Sequence, residues 1–107
     1  MLKLFELPLS TTSYSYKHDV VLDGLHFIIW IQYNSRKDGW ILSLHDMQDI
    51  PIISGTPVRI SVDILSQFRH LPNIPVGQIM AINWNTNEEA NLNNFGSKVF
   101  LYYVGER

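Results

Sequence analysis

The stretch from residue 14 to residue 33 constrains the fold most, because large apolar side chains alternate along it in two runs separated by a turn. The even positions 14 to 22 read Tyr, Tyr, His, Val and Leu, and the odd positions 25 to 33 read Leu, Phe, Ile, Ile and Tyr. A period of two is that of a β-strand. Between the runs lies Asp23-Gly24, a dipeptide that favours the positive φ angles of a type I′ turn. The sequence therefore predicts an antiparallel hairpin formed by residues 14–22 and 25–33.

The rest of the chain continues in short runs between turn residues. After a polar loop that ends in glycine, residues 40–45 alternate again and predict a third antiparallel strand. Further strands are expected at 50–53, 77–84 and 97–104, and Ser-Gly-Thr-Pro at 54–57 is typical of a turn. Residues 58–68 fit a strand that gives way to a helical turn near Asp63, and 88–92 fit a second helical turn.

These elements predict one domain over residues 1–107 of an all-β, mainly antiparallel class. We expect a small roll, sandwich or partly open barrel of six to seven short strands with one or two short helical turns. A chain of 107 residues is long enough for one core.

Motifs that carry catalytic or metal chemistry are missing from the sequence. The chain has no cysteine, which excludes disulfides, thiol catalysis and cysteine-based zinc sites. Its four histidines share no ligand spacing, and His18 with His26 across the hairpin makes the best metal argument, although ordinary strand histidines fit better. No phosphate loop, nucleophile elbow or zinc-protease motif occurs. We expect no catalytic residue, no cofactor and no metal, so the protein is predicted not to be an enzyme.

Charge and hydropathy limit the classes of partner. The net charge is −2 and the eight basic residues are dispersed, so a nucleic-acid partner is not expected. The longest apolar run, residues 27–31, is far shorter than the roughly 20 residues that span a bilayer, and a soluble protein made without secretion is expected. Five aromatic residues nevertheless lie in the first three strands, and a module that stacks single-stranded nucleic acid or carbohydrate on them is the alternative function. These are Tyr14, Tyr16, Trp30, Tyr33 and Trp40.

Two predicted strands are apolar on both faces. Ile28 and Trp30 oppose the main apolar set of their strand, and Phe100, Tyr102 and Val104 oppose another in the last strand. A domain of this size has one core, so the second face needs cover from the N-terminal arm, from residues 62–75 or from another chain. We take these five residues as the candidate interface and expect them to be partly buried against other protein chains.

A family resemblance adds to this interpretation. The sequence resembles the baseplate plug protein family of cyanophage-type contractile phage tails across nearly its whole length. The motifs that carry the resemblance are Leu7-Pro8-Leu9, Val21-Leu22-Asp23-Gly24, Tyr33-Asn34, residues 40–44 with Asp46, the 51–55 turn, Pro75-Val76-Gly77, residues 92–96 and Leu101-Tyr102-Tyr103. The 62–75 segment has no counterpart among them.

The resemblance implies a structural virion protein at the centre of the baseplate, assembled in the host cytoplasm. It would contact other tail proteins, namely the hub and spike and the tube or tape measure, and help to close the tail-tube channel. It would also be a homo-oligomer, with three copies to match a trimeric hub. The family supplies no catalytic residues.

Overall fold

A computed structural model describes residues 3–10 and 12–105, which form two antiparallel sheets that do not join into a closed barrel. A four-stranded sheet has the order β2-β3-β4-β5, and a three-stranded sheet has the order β1-β7-β6. The strands are β1 Lys3–Glu6, β2 Ser15–Leu22, β3 Leu25–Asn34, β4 Gly39–His45, β5 Pro51–Pro57, β6 Gln78–Asn83 and β7 Val99–Gly105. A single 3₁₀ turn, Ser66–Phe68, is the one helical element in these residues. The predicted all-β class is confirmed.

The hairpin at Asp23-Gly24 is confirmed. Strands β2 and β3 pair in register from Leu22 opposite Leu25 to Ser15 opposite Gln32. Asp23 has φ 52° and Gly24 has φ 81°, so both turn residues occupy the left-handed region that a type I′ turn requires.

The core lies between the inner faces of the two sheets. Inward-pointing residues of β2, β3 and β4 meet those of β6 and β7 in one buried cluster, because alternate side chains of each strand point to the same side. The largest fully buried side chains are Tyr103, Leu22, Ile29, Ile31, Leu42, Leu44, Leu65, Ile79 and Leu101.

Residues 54–57 are part of strand β5, so the predicted turn there is wrong. The register between β4 and β5 shifts near Ser43, and Gly55 has φ 71°. The N–H of Gly55 donates to the Ser43 hydroxyl at 2.9 Å. Turn residues here form a β-bulge, which uses the same positive φ without reversing the chain.

Three other expectations about local structure have mixed outcomes, and one strand was not expected. The predicted strand at 58–62 is wrong, because Ile60 makes only an isolated parallel bridge with Ala81. A helical turn does follow, at Ser66–Phe68, whereas residues 88–92 contain no helical turn. Strand β1 was not predicted, and it pairs with β7 from the opposite end of the chain.

Candidate assembly surfaces

The five predicted interface residues lie on the outer faces of the two sheets and are all half-buried. Ile28 and Trp30 point outward from β3, and Phe100, Tyr102 and Val104 point outward from β7. Because the sheets enclose the core between them, these outer faces are on opposite sides of the domain. The structure therefore divides the predicted interface into two separate surfaces.

The outer face of the three-stranded sheet carries a continuous apolar strip. Strand β7 is the middle strand, and its outward residues lie beside those of β1 and β6: Val104 is opposite Leu4, and Phe100 is opposite Ile82. We use the name apolar strip for Leu4, Met80, Ile82, Trp84, Phe100, Tyr102 and Val104. Leu4 is 51% exposed and Trp84 is 61% exposed, so a large part of this apolar area faces solvent.

Trp84 and Tyr102 hold each other in place within the apolar strip. The Trp84 Nε1–H donates to the Tyr102 hydroxyl at 2.7 Å, and the two rings are nearly perpendicular with centroids 5.9 Å apart. Glu6 and Gln78 flank the centre of the strip as polar neighbours of Tyr102 and Val104. A fixed aromatic pair with a polar margin is the usual composition of the centre of a protein–protein interface.

Trp30, on the opposite outer face, is enclosed by polar groups of its own sheet. Its Nε1–H donates to the Ser15 hydroxyl at 2.9 Å, and the Lys17 ammonium lies 4.7 Å from the ring centroid. The His45 ring lies nearly perpendicular to the Trp30 ring, with the two centroids 5.9 Å apart. The sequence pattern of β3 does not reveal this cover, because it comes from the neighbouring strands β2 and β4. The Trp30 surface therefore exposes less bare apolar area than the pattern of β3 alone indicates.

An acidic residue organises the groups around Trp30. Asp49 accepts a hydrogen bond from Lys17 at 2.9 Å and contacts Nδ1 of His45 at 2.7 Å. Lys17, and secondarily His45, hold the pKa of the Asp49 carboxyl below its ordinary value. These contacts fix Lys17 over the Trp30 ring.

The histidine pair considered for a metal is not brought together. His18 points to the inner side of β2 opposite Ile29, whereas His26 lies on the outer side of β3 opposite Val21. Residues 3–10 and 12–105 contain no group of three His, Cys, Asp or Glu residues that could hold a metal ion.

Of the five aromatic residues considered for nucleic-acid stacking, Trp40 is buried in the core and Tyr16 and Tyr33 pack against it, whereas Trp30 lies on the outer face and Tyr14 is exposed. Trp40 is only 4% exposed, packs on Phe95 with ring centroids 5.2 Å apart, and donates its Nε1–H to the Asn91 carbonyl at 2.9 Å. Tyr33 packs on Trp40 and donates its hydroxyl to Asp38 at 2.6 Å. These rings are engaged with their own chain and do not form an open stacking platform.

Strand β7 is tied to the β2–β3 turn by the buried hydroxyl of Tyr103, on the inner face of the sheet. This hydroxyl donates a hydrogen bond to the Asp23 carboxylate and accepts one from the Gly77 N–H at 2.8 Å. Burial, followed by the bond to Asp23, raises the pKa of Tyr103 to about 12. The neutral phenol is thus the form that the fold stabilises.

Residues 62–77 complete this end of the domain, and they include the segment 62–75, whose role the sequence left open. Arg69 donates to the carbonyls of Pro75 at 2.9 Å and Gly77 at 2.6 Å, and pairs with Asp63 at 2.7 Å. The Asp63 carboxylate also accepts the N–H of Leu65 at 3.0 Å. The segment is therefore a structural brace that positions Gly77 against Tyr103.

Comparison with known proteins identifies the family. The family model for the cyanophage baseplate Pam3 plug gp18 matches residues 4–106, which include both outer faces and the Tyr103 hydrogen bonds. No curated protein matches the chain. Among the described residues, no helix combines the length and apolarity needed to cross a membrane. The matched range spans nearly the whole chain, and the protein belongs to the family of the cyanophage baseplate Pam3 plug gp18.

Proposed function

We propose that the protein is a structural plug at the centre of a contractile-tail baseplate. There it contacts the hub and spike proteins and helps to close the tail-tube channel. The family supports a structural baseplate role, and a virion tail location follows from it. The observation that carries the finer proposal is the apolar strip, an exposed apolar face on the middle strand of the smaller sheet.

The apolar strip is the surface that we assign to the baseplate contacts. Removing apolar area from water stabilises an association by roughly 25 cal/mol per Å². Trp84 and Tyr102 already restrain each other, so little side-chain entropy is lost when a partner covers them. A neighbouring hub or spike protein with an apolar surface of its own is the partner that fits this chemistry.

The mechanism in this proposal is mechanical rather than chemical. Apolar contacts need no covalent bond and can be broken when the tail contracts and the baseplate rearranges. We expect no enzymatic activity, in keeping with a structural family. Three copies around the tail axis, matching a trimeric hub, remain our proposal for the assembled tail, and assembly in the host cytoplasm before incorporation is part of it.

The experiment that tests this surface is incorporation of variants into tails. Tyr102→Lys places a charge at the centre of the apolar strip, whereas Met47→Lys places the same charge on an exposed apolar residue next to the other sheet. Both proteins are produced in an infection that lacks the wild-type gene, and the tails are purified and quantified by mass spectrometry. We expect Tyr102→Lys to be lost from tails and Met47→Lys to be retained.

Circular dichroism separates a lost contact from a lost fold. Leu4→Lys, at the exposed margin of the same strip, gives a second variant whose side chain is far less enclosed. Folded Tyr102→Lys and Leu4→Lys proteins that enter tails as well as wild type would overturn the assignment of this surface.

A further inference from the structure

Strand β2 presents the longest regular strand edge that no hydrogen bond within the described residues covers, and residues 5–8 lie beside its end at residues 20–22. The edge of β5 carries Pro51 and Pro57 and a bulge. The edge of β6 is covered by residues 60–64, whose N–H groups at Ser61 and Ile64 donate to Ala81 and Ile79. Strand β1 has four residues, whereas β2 has eight. The unpaired N–H and C=O groups of such an edge are a template for pairing with another strand, and charged side chains on the edge restrict which strand fits.

The hairpin register shows which backbone groups of β2 face outward. In a hairpin with a two-residue turn, the flanking pair Leu22 and Leu25 is hydrogen-bonded, and hydrogen-bonded pairs then alternate with unbonded ones. The bond from the Tyr33 N–H to the Tyr14 carbonyl, 2.8 Å long, is in phase with this alternation. The N–H and C=O groups of Lys17, Asp19 and Val21 therefore point away from β3. No hydrogen bond within the described residues reaches them.

We propose that, before assembly into the tail, two copies of this chain pair through their β2 edges in antiparallel orientation about a twofold axis next to His18. Only alternate residues of β2 direct their N–H and C=O groups toward the open edge. In an antiparallel pair of two β2 strands these residues must lie opposite each other, and this limits the registers that can form. In the register centred on His18, Lys17 lies opposite Asp19 of the second copy, and Ser15 lies opposite Val21.

Charge selects this register over its two neighbours. In the register with the twofold axis at Lys17, two ammonium groups lie opposite each other. In the register with the axis at Asp19, two carboxylates do. Like charges directly opposite each other destabilise both pairings. The register centred on His18 instead forms two identical ion pairs. Asp19 is exposed and makes no hydrogen bond or ion pair within the described residues, so its carboxylate is available. The Lys17 ammonium lies against Asp49 and over the Trp30 ring, so on pairing it exchanges these contacts for Asp19 of the second copy.

The twofold axis places His18 of one copy opposite His18 of the other at an unbonded position, where opposing side chains come closest. Nε2 of His18 is enclosed within its own chain and has no hydrogen-bond partner in the described residues, so this atom takes no part in the pairing. The interface is small, so a concentration-dependent dimer is expected rather than an obligate one. This pairing is independent of the proposed baseplate contacts, which use the apolar strip.

Complementary charge variants test the register directly. Asp19→Lys gives two Lys–Lys pairs in a homodimer, and Lys17→Asp gives two Asp–Asp pairs. An equimolar mixture restores both ion pairs in a heterodimer. Sedimentation velocity at physiological salt over a dilution series measures the association. We expect wild type to dimerise and each single variant to associate at least about tenfold more weakly. The equimolar mixture should regain the association of wild type.

A proline variant tests the edge by removing a backbone hydrogen-bond donor rather than by reversing a charge. Asp19→Pro removes an N–H that faces the open edge, so the β2–β3 ladder is preserved while the intermolecular ladder loses a donor. Its dimer should be lost, and in wild type the amides of Lys17, Asp19 and Val21 should gain hydrogen-exchange protection as concentration rises. A wild-type monomer at every concentration overturns the proposal, as does a dimer that Asp19→Lys and Asp19→Pro leave unchanged.

Discussion

The hydroxyl of Tyr103 donates a hydrogen bond to the carboxylate of Asp23 and so joins the last strand to the first hairpin turn, across 80 residues of sequence. Tyr103 is fully buried, and its hydroxyl also accepts the Gly77 N–H. Each of the two sheets and the 62–77 segment thus has one group in the same small cluster. We expect this cluster to decide the stability of one end of the domain.

Tyr103→Phe should lower the free energy of unfolding by about 1–3 kcal/mol, because it removes the buried hydroxyl that donates to Asp23 and accepts the Gly77 N–H. Tyr102→Phe is the matched control, since its hydroxyl only accepts a surface hydrogen bond from Trp84. Urea denaturation of both variants measures the difference. Equal losses for the two variants would show that the buried hydroxyl has no special role.

The raised pKa of Tyr103 predicts a loss of stability in alkaline solution. An ordinary tyrosine titrates near 10, and this one near 12, so between those values the unfolded chain has released a proton that the folded chain still holds. Unfolding is then favoured as pH rises, and the stabilisation is complete below pH 10. Wild type should lose more stability than Tyr103→Phe between pH 10 and pH 12. Parallel curves for the two proteins would contradict the cause assigned to this shift.

Gly77→Ala should destabilise the fold more than Gly24→Ala. A Cβ atom at Gly77 would overlap the Val104 carbonyl and lie 2.6 Å from Cζ of Tyr103, in a place where backbone cannot move aside. At Gly24 nothing lies within 4 Å, and only the φ of 81° opposes a side chain. We expect losses of about 1–3 kcal/mol or more at Gly77 and about 1 kcal/mol at Gly24. Thermal denaturation compares them, and a reversed order would contradict the close approach.

Asp38 makes the fold sensitive to acid. The Tyr33 hydroxyl, and then the Leu92 N–H, hold the pKa of this carboxyl below its ordinary value of 3.8. Because the folded pKa is the lower one, the stabilisation is present above pH 4 and is lost as pH falls further. Asp38→Asn should therefore lose less stability than wild type on acidification below pH 4, as followed by tryptophan fluorescence. A steeper loss in the variant would rule out this assignment.

Local signals in the sequence predicted those parts of the fold that local chemistry determines. Asp23-Gly24 fixed the hairpin because both turn residues need positive φ and few other dipeptides supply it. The turn predicted at 54–57 failed because the same residue types also suit a bulge, and the Ser43 hydroxyl that accepts the Gly55 N–H lies twelve positions away. Strand β1 was missed because its partner is β7, at the other end of the chain.

The candidate surfaces could be predicted only in part. Alternation placed Tyr102 and Trp30 correctly on outward faces, because the period of two is a property of each strand alone. The pattern does not show which strands lie next to each other. It therefore could not reveal that Lys17 covers Trp30, or that Trp84 from the end of β6 braces Tyr102.

The central claim is that this chain is a structural plug in the baseplate, and electron cryomicroscopy of purified tails tests it most directly. Tails assembled with the wild-type gene are compared with tails assembled without it. We predict density for the two-sheet domain on the tail axis at the baseplate end of the tube, with the apolar strip against a hub or spike protein. We also predict that this density is absent and the channel open when the gene is removed. Complete tails with a closed channel and no such density, from cells that produce the folded protein, would contradict the account.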